Sequence, residues 1–347
     1  MGSPVTGMQH VGKTNLPVDG QPVGPPSNRS QSSVKLQKNR IGTARRVFDK
    51  VFLYLNGWVW RLLPDSLMMT RPILRYGAFL HFYVQRRSER SQYHGTFFLR
   101  NRPELELIRT LANQKKIGAS LKLAILGCSN GAEVYSIAWI IRSARPDLKL
   151  ILCAADISTE ILEIAEEGLY PLGANRLMDS QIFERLTEEE MRGIFDLEDG
   201  HVRIKPWLKE GIVFRVADAG DPGIIASIGT QDIVVANNFL CHMVPEHAET
   251  CLRNLVRLVA PGGYLFVSGV DLSIRAKVAN DLGWTPVLDR IQEIHNGDPS
   301  VRRDWPWRWW GVEPYDGKRS DRDLRYAHLF RIGEQLVAEA IAGSTVK

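Results

Sequence analysis

Residues 127–131 read Gly-Cys-Ser-Asn-Gly and stand between two apolar segments, LKLAIL and AEVYSIAWIIRSA. Two glycines placed between a strand and a helix N-terminus let a ligand approach the backbone closely, where N–H groups point outward. The next apolar run, LKLILCAADI, ends on Asp156, where a carboxylate can take both hydroxyls of a ribose. A third run, GIVFRVADA, ends near Asp218, within reach of an adenine or its sugar. No Gly-Lys-Ser or Gly-Lys-Thr follows the glycines, which excludes a phosphate loop. The third glycine of the dinucleotide fingerprint is also missing, which argues against a pyrophosphate and an NAD-dependent dehydrogenase. An adenosyl group carrying an amino acid is the natural remaining ligand.

These residues need strands to carry them to one sheet edge. Five β-rich runs, 121–127, 148–157, 211–219, 231–238 and 262–269, alternate with helical periodicities. The helices are AEVYSIAWIIRSA, STEILEIAEEGLY, PEHAETCLRNLVRLVA and LSIRAKVANDLGW, the third stopped by Pro261-Gly262-Gly263. TPVLDRIQEI and RYAHLFRIG read as two late strands. Near-continuous apolar strands between helices predict a mostly parallel seven-stranded α/β sheet with helices on both faces. Ligands bind such sheets where strand C-termini meet helix N-termini.

The stretches GCSNGAEVYS (127–136), AADISTEILEIAEEGLY (154–170) and PGGYLFVSG resemble the chemotaxis-receptor methyltransferases of the CheR type. Upstream, TFFLRNRPEL resembles that family's Thr-x-Phe-Phe-Arg motif, with Leu99 at the second Phe. The span 185–219 resembles its small β insertion and return to the third strand. The resemblance implies a Rossmann-like class I methyltransferase fold and S-adenosylmethionine as methyl donor. Thr96 and Arg100 would close the donor site, Glu133 would face the cationic donor, Asp156 would hold the ribose, and Asn238 would lie beside the methionine part. With Gly127, Cys128, Ser129, Gly131, Ile157, Asp218, Ala219 and Asn237 they form the expected donor site.

Departures from the family bear on the acceptor. Ala132 and Val134 replace Glu and Pro in the glycine turn, and Asp218 stands where an Asn is usual. In NNFLCHM (237–243), Asn237 occupies an Arg position and His242 a Tyr position, both near the acceptor in the family. Asn237 and His242 are therefore the expected catalytic residues. A carboxylate acceptor is already ionised at neutral pH and needs no base. Loss of the Arg favours instead a hydroxyl on a small or lipid-like molecule, with His242 as base. Methylation of a protein glutamate is the alternative. A third reading is a module that binds the donor without turnover.

The chain has 347 residues and a formal net charge of +5, with both signs of charge spread along it, so nucleic acid is not an expected partner. Its four cysteines show no CxxC pairing, so no metal site or disulfide framework is expected, and a cytoplasmic setting fits. Residues 1–33 are polar and read as a disordered tail without a signal peptide, and 334–347 as a terminal helix or tail. Residues 34–92 read as a basic, amphipathic helical extension, of which 35–64 suits peripheral contact with a membrane. The methyltransferase domain is expected over 93–333, with the β insertion at about 183–210 and a tryptophan-rich insert at about 297–318.

Overall fold

The computed structural model describes residues 48–68, 70–87, 94–172, 180–298, 305–307 and 313–333. Both terminal segments expected as tails lie outside these residues, as do Trp309 and Trp310. The chain divides into two compact units after Asp65, within the extension expected from the sequence. The first contains helix α1 (48–61). No described helix is long and apolar enough to cross a membrane.

The second unit begins with α2 (Arg71–Arg87) and α3 (Arg102–Asn113). Asn101 caps α3, its side chain accepting from the Glu104 N–H at 3.3 Å. Then come β1 (Ser120–Leu126), α4 (Ala132–Ala144), β2 (Lys149–Asp156), α5 (Thr159–Glu167) and β3 (Leu169–Pro171). A capping box on Thr187 and Glu190 starts α6 (Glu188–Ile194), which leads into β4 (Phe195–Glu198) and β5 (His201–Ile204). The chain continues through β6 (Ile212–Val216), β7 (Gln231–Asn237), α7 (Pro245–Leu255), β8 (Val259–Ser268) and α8 (Leu272–Asp281). It closes with β9 (Thr285–Pro286), α9 (Ile291–Asn296), α10 (Arg322–Tyr326) and β10 (Leu329–Arg331).

Seven strands form one sheet in the order β6-β2-β1-β7-β8-β10-β9. All neighbours pair in parallel except those of β10, which runs against both β8 and β9. Alternation along β1 divides the core in two. Leu121, Leu123 and Ile125 pack with Ile108 of α3 and Val134, Ile137 and Ile141 of α4. Ala124 and Leu126 face the opposite layer, with Leu252 and Leu255 of α7 and Val278 of α8. The mostly parallel seven-stranded sheet expected from the sequence is present.

Local boundaries differ where glycine or proline outweighs apolar periodicity. The run 158–170 is not one helix: Gly168, at φ 61°, caps α5, and Leu169–Pro171 pair with β5. The run 245–260 likewise leaves the helix at Leu255, and Pro261-Gly262-Gly263 lie within β8. That is possible because the pairing shifts register between Gln231 and Ile233, leaving room for the extra residues. Of TPVLDRIQEI only Thr285–Pro286 is strand, since residues 291–296 turn helical. RYAHLFRIG contributes only Leu329–Arg331. Of the tryptophan-rich insert, Trp305 is buried and the Pro306 carbonyl lies 3.0 Å from His81 Nδ1 on α2.

β3, β5 and β4 form a separate antiparallel sheet. Phe98, fully buried, joins it to the segment before α3: its ring meets Tyr170 and Phe195 edge-on at 5.4 and 4.9 Å, and its N–H donates to the Ile182 carbonyl at 3.0 Å. Phe98→Ala should cost about 3–5 kcal/mol in chemical denaturation, because the rings around it cannot close the cavity. A loss below about 1 kcal/mol would show that the small sheet does not depend on this anchor.

Candidate active site

The C-terminal ends of β1, β2 and β7, and the chain leaving β6, converge on a cavity of about 310 Å³. After β1 the chain turns with Gly127 at φ 66°, Ser129 at φ 50° and Gly131 at φ 87°. A Cβ on Gly127 would sit 2.7 Å from the Phe239 ring, so only glycine fits. Ser129 holds its left-handed backbone because both its polar groups are used. Its N–H donates to Asp156 Oδ2 at 2.9 Å and its hydroxyl to the His94 carbonyl at 2.8 Å. Asp156 is 6% exposed, and its other oxygen accepts the Ser158 N–H at 3.2 Å. The carboxylate is thus pinned at the cavity wall.

Thr96, Arg100, Gly127, Cys128, Ser129, Glu133 and Asp156 line this cavity. So do Ile157, Asp218, Ala219, Asn237, Asn238 and His242. Of the residues expected at the site, Gly131 alone does not: it opens α4, and its Cα side meets Ala165 and Tyr135. Burial pushes the Cys128 thiol far above its ordinary range, so Cys128 acts as a small apolar wall. Asp218 lies beyond the end of β6 and accepts the Gly220 N–H at 2.7 Å. His94, Phe239, Met243 and His247 also line the cavity and were not expected. Phe239 and Met243 belong to the quoted NNFLCHM run, but only the folded turn brings Phe239 against Gly127. His94 carried no sequence signal, and His247 reads as an ordinary polar residue in the first turn of the helix expected over 245–260.

Asn237, at the end of β7, lines the cavity as expected and also holds partners that the sequence did not point to. Its Nδ2 donates to Glu104 Oε1 at 2.6 Å and to Glu133 Oε1 at 2.8 Å. Both amide hydrogens are thereby spent on carboxylates, whereas the sequence placed this side chain beside the acceptor. Burial, the dominant cause, pushes the carboxyls of Glu104 and Glu133 each up to about 7. The remaining atom, Asn237 Oδ1, is buried without a partner among the described residues.

An adenosyl amino acid fits these groups. A pinned carboxylate suits a ribose, the left-handed turn leaves room for a nucleoside, and the orphaned Oδ1 needs an N–H donor such as an α-ammonium. The strand order and this pocket define the class of S-adenosylmethionine-binding α/β proteins. The family model described as the CheR methyltransferase, SAM binding domain, matches residues 94–277. The chain therefore belongs to the CheR methyltransferase family, and its cofactor is S-adenosylmethionine.

Curated relatives agree. The chain is 25% identical over 230 residues to the chemotaxis protein methyltransferase 2 of Pseudomonas aeruginosa, covering 62% of this chain and 80% of that one. It is 26% identical over 158 residues to the probable biofilm formation methyltransferase WspC of the same species, covering 45% and 36%. An uncharacterized 104.1 kDa protein of Rhodobacter capsulatus is 28% identical over 221 residues, 57% of this chain and 22% of that protein. The chain thus spans about a fifth to a third of the length of the last two.

Asp156→Ala removes charge-assisted hydrogen bonds worth roughly 1.5–3 kcal/mol, so the dissociation constant for S-adenosylmethionine should rise about 10- to 150-fold by calorimetry. Unchanged affinity in a folded variant would place the donor elsewhere.

Proposed function

We propose that this chain methylates carboxylates on a protein, transferring the methyl of S-adenosylmethionine to glutamate-type side chains. When bound, the donor supplies an electrophilic methyl on a sulfonium. The chain's own task is positioning: Asp156 and the glycine turn hold the nucleoside end, and the cavity brings an acceptor oxygen to about 3–3.5 Å from the methyl. A carboxylate with an ordinary pKa near 4 arrives ionised, so no base is required.

The observation that carries this reading is Arg100, a cation in the wall of the donor cavity, while both Asn237 amide hydrogens are committed to Glu104 and Glu133. The replacement of an arginine by Asn237 had favoured a hydroxyl acceptor, but this side chain is engaged inside the protein and says nothing about the acceptor. Groups that can receive an anion remain in the cavity. Arg100 bonds Asp298 through Nε at 2.6 Å, and its Nη groups hold no hydrogen bond among the described residues. His94, His242 and His247 stand in the same wall. The chemotaxis methyltransferase names of the relatives support the same acceptor class over a hydroxyl.

His242 then lines the acceptor path without acting as a base. With labelled donor and cellular protein as acceptor, His242→Gln should keep the methylation rate at pH 7.5 within about threefold of wild type. A fall of about 10²-fold or more with unchanged donor affinity would restore His242 as base and the hydroxyl as acceptor.

We further infer that α1 rests on an anionic membrane surface. Phe48, Val51, Tyr54, Leu55, Trp58, Val59 and Leu62 are 44–76% exposed and recur at helical spacing on one side of the segment. Lys50 and Arg61 flank this stripe, and Lys35, Lys38, Arg40, Arg45 and Arg46 precede it in sequence. Apolar side chains entering the headgroup region with cations beside anionic lipids is the chemistry of an interfacial helix. Vesicles containing anionic lipid should sediment the protein, and Trp58→Ser should weaken partitioning about tenfold or more. Equal binding to zwitterionic and anionic vesicles, or none to either, would contradict the inference.

A further inference from the structure

Glu104 comes from the first turn of α3 and Glu133 from the first turn of α4, yet the two meet across a single amide. The amide of Asn237 is neutral, so it satisfies hydrogen bonds and cancels no charge. Arg100 and Arg275 favour the charged carboxylates from a distance, but their hydrogen bonds go to other groups. Arg100 gives its Nε to Asp298, which also takes Arg185 Nη2 at 2.8 Å. Arg275 of α8 is 1% exposed and donates to the backbone carbonyls of Val267, at 2.8 Å, and Arg325. Neither Arg100 nor Arg275 hydrogen-bonds to either glutamate among the described residues. His328, before β10, lies with Nδ1 3.3 Å from Glu104 Oε2, and His295 of α9 stacks edge-on against it at 5.9 Å. Arg325 of α10 is paired with Glu313.

Two carboxylates this close and this enclosed cannot both ionise cheaply. Glu133 lines the donor cavity, whereas Glu104 does not; it borders the smaller, adjoining cavity of about 50 Å³. Asn237 and Arg100 line both. We propose that Glu104 is a positioning residue of the donor site, that it and Glu133 hold one proton between them across Asn237, and that this proton leaves when the cationic donor enters. Glu104 also fixes the amide: with Nδ2 held by the two carboxylates, Oδ1 is turned away from them and kept as an acceptor for the donor's ammonium group. A sulfonium beside Glu133 supplies the positive charge that allows both carboxylates to ionise. Nothing covalent occurs; one proton passes from the pair to solvent.

The linkage has a definite sign. Below neutral pH the pair is protonated and the donor must displace the proton, so affinity is weaker. Above it the pair is already ionised, and affinity reaches its limit. Calorimetry of S-adenosylmethionine binding in phosphate and in Tris at pH 7 should show release of about half a proton. The dissociation constant should tighten about five- to tenfold from pH 6 to pH 8. S-adenosylhomocysteine has the same α-amino group and no sulfonium, so its proton release and pH slope should be smaller. In Glu104→Gln the like charge is gone, and the midpoint of the affinity curve should fall by about one pH unit, with less proton release at pH 7.

Equal proton release for the two ligands, or none for either, would overturn the proposal with wild-type protein alone. So would a folded Glu104→Gln variant with the wild-type pH curve, since a merely structural role for Glu104 would leave that midpoint in place. If the variant does not fold, the comparison of the two ligands on the wild type decides. Failure to bind either ligand at all would instead reject the donor site itself.

Discussion

The Asn237 amide is the joint at which three elements of this protein meet. It brings the end of β7 to the first turns of α3 and α4, and each arm is a hydrogen bond to a buried carboxylate. Such a joint is costly unless every polar atom in it is satisfied, because an unpaired buried group forfeits its hydration without return. Here the count closes on the nitrogen side and stays open at the buried Oδ1, which has no partner among the described residues. A polar core network thus ends in one unfilled acceptor among the described residues.

The second constraint is backbone strain at strand ends. Ser129 and Asn238 both lie at positive φ without being glycine. Each is held by its neighbours: Ser129 through Asp156 and His94, Asn238 through its N–H to the Ser268 carbonyl at 3.1 Å. Gly269 is forced by the same crowding, since a Cβ there would come within 2.5 Å of Asn238 Cα. Strain of this kind, of order 1–3 kcal/mol per residue, persists only where the surroundings over-determine it. In this fold it falls on residues that line the donor cavity.

Much of this was legible in the sequence because apolar period and glycine position are local signals. The strand carrying Asp156, the turn from Gly127 to Gly131 and the helix behind it follow from a few consecutive residues each. The Glu104–Asn237–Glu133 joint was not legible, since its members come from three distant segments and Glu104 reads as an ordinary first-turn acid favoured by the helix dipole. Asn237 lines the cavity where the sequence expects it, but analogy to an arginine in the resembling family gives no sign of its bonds to Glu104 and Glu133. The late strands read too long in sequence because Ile291–Asn296 and Arg322–Tyr326 are helices too short to show a helical period.

The acceptor proposed for this chain is a protein carboxylate. The direct measurement is to incubate the chain with donor labelled in the methyl group and the protein fraction of its own cells, then treat the product with mild base. A carboxyl methyl ester hydrolyses and releases the label as volatile methanol, so most of the protein-bound label should leave as methanol. Label that enters lipid or small molecules, or stays on protein through base as an ether or amine would, contradicts the account.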